Sequence, residues 1–170
     1  MEDNEYLVQE MKEIVLKDYE EIFALPIKEG SYQVYALWRL EKQEREGNKI
    51  DLVILDINLD KPTEDGIKVL KAIRGKYPSK EELPVLVLTL YSELAQIPDV
   101  EKLANGILRK QRIVEKVEKM KLIVKKIMDN PLVYSPKGYA KMIDEESGSF
   151  LDIPVPSEEP GGRYIVAEEE

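Results

Sequence analysis

Ten residues constrain this chain most: Ile50, Asp51, Leu52, Val53, Ile54, Leu55, Asp56, Ile57, Asn58 and Leu59. The unbroken apolar run 52–55 ends abruptly in a carboxylate. It reads as a strand buried on both faces that carries Asp56 to the C-terminal edge of a parallel sheet. Open α/β sheets bind ligands at that edge. A second run, 85–88, ends in the hydroxyl of Thr89, and a third, 106–109, is followed by the ammonium of Lys110. One sheet edge is therefore expected to collect a carboxylate, a hydroxyl and a cation.

Composition narrows the chemistry available there. The 170 residues are 43% hydrophobic and 35% charged, enough for one α/β core with some chain to spare. The net charge of −9 and the lack of any Lys/Arg-dense window argue against nucleic acid as the main ligand. With no Cys and no His, thiol catalysis, disulfides, zinc sites and imidazole bases are all excluded. Apolar runs are short and the N-terminus is acidic, so neither a membrane span nor a signal peptide is read, and a cytoplasmic protein is expected.

Helices alternate with the apolar runs. After Asp3 or Asn4, the spacing of Leu7, Met11, Ile14 and Val15 predicts a helix to about Glu21. Residues 22–27, stopped by Pro26 and Gly30, read as an edge strand. Ser31 caps a predicted helix to about Glu46, with Val34, Leu37, Trp38 and Leu40 among its apolar positions and Gly47 as its stop. A short helix follows Gly66, and residues 83–88 make the next strand. A weak helix covers 98–104, and a longer one covers 111–128. In that last helix Ile113, Val117, Met120, Val124 and Ile127 form a seam that either docks on the sheet or contacts a second copy of the chain. Residues 129–162 hold five prolines and four glycines and read as a connecting segment, with one short strand at 150–153.

Strands alternating with helices, and a buried strand ending in Asp-Ile-Asn-Leu before an Asp-Gly pair, resemble the receiver domain of bacterial response regulators over residues 2–128. The resemblance implies a doubly wound, flavodoxin-like α/β fold with five parallel strands in the order 2-1-3-4-5. It makes Asp56 the phosphoacceptor, Thr89 the hydroxyl that follows the phosphoryl group and Lys110 the cation that pairs with it, spaced by 33 and 21 residues. Asn58 would offer its backbone carbonyl to a magnesium ion. A carboxylate attacks a phosphoryl donor poorly unless a divalent ion neutralises the incoming charge, and magnesium takes about six oxygens, several of them from water.

The family draws further acids from the end of its first strand, and no such strand precedes residue 4. Residues 164–170, Tyr-Ile-Val-Ala-Glu-Glu-Glu, carry the missing pattern. The chain therefore reads as a circularly permuted receiver: body 1–128, connector 129–162, and a central first strand in 163–170 that brings Glu168 and Glu169 to the metal. Part of the connector is more than a bridge requires, so it is expected to pack on the body or serve a partner.

Several positions depart from the family. Leu90 follows Thr89 where a small residue is usual, Ile107 stands at the place of the switch aromatic, and Gln111 replaces the proline after the lysine. Two functions of different class follow. One is a signalling receiver phosphorylated on Asp56 by a histidine kinase or phosphotransfer protein and acting on a downstream protein partner through the face of its last two helices, with a homodimer as an option. The other is a phosphorylation-independent pseudo-receiver that serves as an interaction module. Neither is an enzyme beyond autophosphorylation and slow autodephosphorylation. A magnesium-dependent hydrolase is disfavoured, because Asn58 breaks the paired-aspartate pattern and no general base is evident.

Overall fold

A computed structural model describes residues 9, 11–17, 19, 32–57, 64–90, 98–109, 117–144 and 147–149. The strands expected at 22–27, 150–153 and 164–170 lie outside these residues, as do Asn58, Lys110, Gln111, Glu168 and Glu169.

In chain order the elements are a π-helical turn (Met11–Val15), α1 (Tyr32–Arg45), β1 (Val53–Asp56), α2 (Glu64–Lys76), β2 (Val85–Thr89), α3 (Pro98–Leu103), β3 (Gly106–Arg109) and α4 (Val117–Asp129). The three strands are parallel in the order β1-β2-β3. Val53 pairs with Val85 and Asp56 with Leu88, while Leu86 pairs with Gly106 and Thr89 with Arg109. Ile57 extends the first ladder by one bond, its N–H donating to the Leu88 carbonyl at 3.0 Å.

Both faces of the sheet are covered, which is why the strands are apolar without alternation of polarity. The side chains still alternate in direction. Val53, Leu55, Val85, Val87 and Ile107 pack with α1, α2 and α3. Leu86, Leu88 and Leu108 face the other way and pack with the Met11–Val15 turn and with α4. The seam of α4 docks on this second face: Met120, Val124 and Ile127 are all buried. Among the described residues no helix is long and apolar enough to cross a membrane.

The helix expected to about Glu21 is, in its described part, a π-helical turn over Met11–Val15 followed by bend and turn geometry at 16, 17 and 19. Two further details depart from the sequence expectation. In α1 the buried stripe is Tyr32, Ala36, Leu40 and Gln43, whereas Val34 and Trp38 face solvent, Trp38 being 44% exposed. Steps of four, four and three keep that stripe in line, and positions 34 and 38 lie about half a turn from it. Gln43 is buried because it closes the helix: its side chain accepts a hydrogen bond from Asn48 Nδ2 at 2.7 Å. Gly47, at φ 82°, lets Asn48 N–H reach the Gln43 carbonyl at 3.0 Å, a Schellman ending.

The second departure concerns residues beyond α4. Residues 130–144 fold back on the body, and Met142 forms a parallel bridge to Ile107. The described sheet is thereby extended past β3 by a strand-like contact at Met142 and Ile143. Only two adjacent apolar residues mark that place in a Pro- and Gly-rich stretch, too few for a periodicity to register.

Candidate functional site

Parallel pairing brings the strand ends together at one edge. Asp56 closes β1 and Thr89 closes β2, and both are 0% exposed. The Asp56–Leu88 register makes Thr89 the next residue along the neighbouring strand, and the Thr89–Arg109 register puts the end of β3 beside it. Lys110 follows Arg109 in the sequence but falls outside the described residues, as does Asn58. Of the expected site residues, Asp56 and Thr89 are therefore placed together at the C-terminal edge of the sheet.

The backbone at Asp56 is fixed on two sides. The β1–β2 ladder holds it laterally, and the start of α2 lies against Ile57, the residue that follows it. A Cβ added to Gly66 would come closer than 3.0 Å to the Cα, C and O atoms of Ile57. Only a glycine permits that approach, so Gly66 sets the height of α2 above the end of β1. In sequence, Gly66 is both a helix start and half of the Asp-Gly pair. The signal available was the Asp-Gly pair itself, but its reason lies in a contact between residues nine apart, which a local reading does not see.

Leu90 stands at the rim, 43% exposed, directly after Thr89. Ile107 is fully buried and packs among Val100, Leu103 and Val87. Its β-branched side chain is restricted at χ1.

The opposite edge of the sheet is braced. Arg74 of α2 donates through Nε to the Leu103 carbonyl at 2.7 Å, through Nη1 to the Leu83 carbonyl at 2.7 Å and through Nη2 to Asn105 Oδ1 at 2.8 Å. Burial lowers the Arg74 guanidinium pKa to about 10, so it stays charged at neutral pH. Asn105 also accepts from the Val85 N–H at 2.8 Å and donates to the carbonyls of Lys80 and Pro131 at 2.9 and 2.7 Å. Lys80, half-buried beside this cluster, is pulled down to about 8 by desolvation and then by the Arg74 charge. Its ammonium donates to the Gly138 carbonyl at 2.8 Å.

The family model of the response regulator receiver domain matches residues 1–125. The chain belongs to the receiver domain family. Receivers are phosphoryl-accepting signalling domains that work with histidine kinases or phosphotransfer proteins, and the parallel sheet covered on both faces agrees with that architecture. No curated protein and no solved structure matches the chain. The matched stretch spans Asp56, Thr89 and Lys110 and ends before the residues that fold back onto β3.

Receivers generally take magnesium at an acidic pocket. Among the described residues no three acidic side chains gather into a metal-binding group. Asp56 supplies one buried carboxylate at the correct edge of this receiver. Hard oxygen donors suit magnesium, so this residue fits as one ligand of a set whose other members would come from outside the described residues.

Proposed function

We propose that this receiver accepts a phosphoryl group on Asp56 and signals through protein contacts. The observation that supports it best is the register that sets a fully buried aspartate at the end of β1 next to Thr89 at the end of β2. In the transfer, an Asp56 carboxylate oxygen forms the new O–P bond while the P–N bond of a phosphohistidine breaks. The departing imidazole nitrogen takes up a proton. Thr89 would donate its hydroxyl hydrogen to a phosphoryl oxygen, and Lys110 would pair with the added charge. Asp56, the Asn58 carbonyl, Glu168 and Glu169 would hold the magnesium ion, which neutralises charge on the incoming group.

The finer architecture belongs to the same reading: a five-stranded sheet in which residues 163–170 enter as the central first strand, a circular permutation. Its motive is the pattern Tyr164 to Glu170, a short apolar run ending in acids. Deleting 163–170 should then cost several kcal/mol, on the scale of a doubly buried strand. A shortened chain that melts like the full one would end that part of the proposal.

A second reading, a pseudo-receiver acting as an interaction module without phosphorylation, draws support from the exposed Leu90 at the rim and from a fully buried aliphatic residue, Ile107, where the family has its switch aromatic. One experiment separates the two. The full chain is incubated with magnesium and acetyl phosphate or beryllofluoride, and intact mass or fluorine NMR follows occupancy. Occupancy in wild type that is lost in Asp56→Asn supports the acceptor role. Equal behaviour of both proteins under saturating conditions leaves the interaction module.

A further inference from the structure

After α4 the chain turns back over the outer edge of β3 and is held there at three elements. Ile107 is gripped through both backbone groups. Its N–H donates to the Lys141 carbonyl at 3.3 Å, and its carbonyl accepts from the Ile143 N–H at 2.8 Å. On the α3 side, the Ala140 N–H donates to the Glu101 carbonyl at 2.6 Å. On the α4 side, Lys126 Nζ donates to the Gly148 carbonyl at 3.2 Å, and within the segment Tyr134 Oη donates to the same carbonyl at 2.8 Å.

Side chains of the same segment fill both halves of the core at this edge. Ala140 and Met142 join the cluster beneath α3, while Tyr134 and Ile143 join the one beneath α4. The seat is shaped for them: a Cβ at Gly106 would lie 3.0 Å from Ile143 Cδ1 and 3.3 Å from Tyr134 Cβ. The family match ends at residue 125, so this segment is an addition to the receiver body.

β3 is only four residues long. Its last residue, Arg109, is in register with Thr89, and its second, Ile107, carries both bonds to the added segment. A shift of the strand end beside Thr89 is therefore resisted two residues away.

We propose that residues 130–144 and 147–149 are a regulatory strap: by holding β3 at Ile107 they stabilise the unmodified arrangement of the site edge, so that strap docking and modification of Asp56 oppose each other. This rests on the reading of Asp56 as the acceptor. A phosphoryl group brings further negative charge to Asp56 and draws on the hydroxyl of Thr89 and the cation after Arg109. The strap resists with two ladder bonds, one of them long, a grip that a change of charge can work against. Coupling between two sites is reciprocal: occupancy of Asp56 loosens the strap by the same factor by which a loosened strap favours occupancy.

The test uses the full chain with magnesium and beryllofluoride, read by amide hydrogen exchange at Ile107 and Ile143. Exchange at both amides should accelerate on occupancy, by about fivefold or more, the lower end of ordinary coupling between sites. Ile143→Asn, which puts a polar group into the seat, should bind beryllofluoride more tightly by a like factor. Tyr134→Phe keeps the packed ring but loses the hydroxyl that donates to Gly148 within the strap, and gives the same direction should Ile143→Asn fail to fold. Asp56-dependent occupancy that leaves both amides unchanged, with unchanged affinity in the strap variants, removes the strap's role while keeping the acceptor. Absence of any Asp56-dependent occupancy removes the acceptor reading and the strap's role together.

Discussion

Asn105 Oδ1 lies 2.8 Å from Arg74 Nη2 and 2.8 Å from the Val85 amide nitrogen, so one oxygen joins α2 to the start of β2. The amide nitrogen of the same side chain ties in the carbonyls of Lys80 and Pro131. Asn105→Ala would leave a buried guanidinium donor and a buried backbone N–H without that acceptor. The expected loss is about 3 kcal/mol, from two unsatisfied groups at one to two each. Urea denaturation followed by circular dichroism measures it, and a loss below about 1 kcal/mol would show that Arg74 finds another partner there.

Two glycines of one helix should respond to alanine with opposite signs. Gly66 abuts the backbone of Ile57, while nothing lies within 4 Å of a Cβ at Gly75. Gly66→Ala is expected to cost about 2 kcal/mol or more through overpacking, and to slow modification of Asp56 by displacing the backbone of Ile57 next to it. Gly75→Ala should stabilise by about 0.5 to 1 kcal/mol, the helix-interior difference between the two residues. Equal effects would mean that α2 does not rest on β1 as described.

Ser135 is fully buried, and its hydroxyl has no hydrogen-bond partner among the described residues. Ser135→Ala removes a desolvated polar atom at little loss of volume. The melting temperature should stay level or rise, and a clear fall would reveal a partner for that hydroxyl.

Lys80 supplies a pH signature. Its folded pKa is about 8 against an ordinary 10.5, because burial disfavours the charged form. Between those values the unfolded chain binds the proton and the folded chain does not, so stability rises with pH across this window. Below about 8 both states are charged and the full penalty of burial is present. Lys80→Gln should flatten the rise, which stability measured at pH 7.5, 9 and 10.5 would check.

β1, β2 and β3 were legible because each is a short apolar run that ends in a polar or charged residue, as suits a sheet covered on both faces. The ends of α1 were legible for a similar reason: Gly47 supplies the positive φ on which that helix terminates. Its inward face was not, since Val34 and Trp38 are as apolar as Tyr32 and Leu40, and packing against α2 decides between them. Arg74 and Asn105 could not be read as a brace, because they are 31 residues apart and nothing local distinguishes either from a solvated side chain. Asp56 and Thr89 were found through strand endings, a property that does survive in one dimension.

The solvent-facing position of Trp38 has a practical consequence. It is the only tryptophan in the chain, stacked on Tyr35 with ring centroids 5.6 Å apart and with the Lys42 ammonium 5.7 Å from its ring. Native emission should therefore already be red-shifted, and loss of the core will change it little. The same indole is a label-free optical reporter for anything that binds along α1, since whatever covers it moves that emission to the blue.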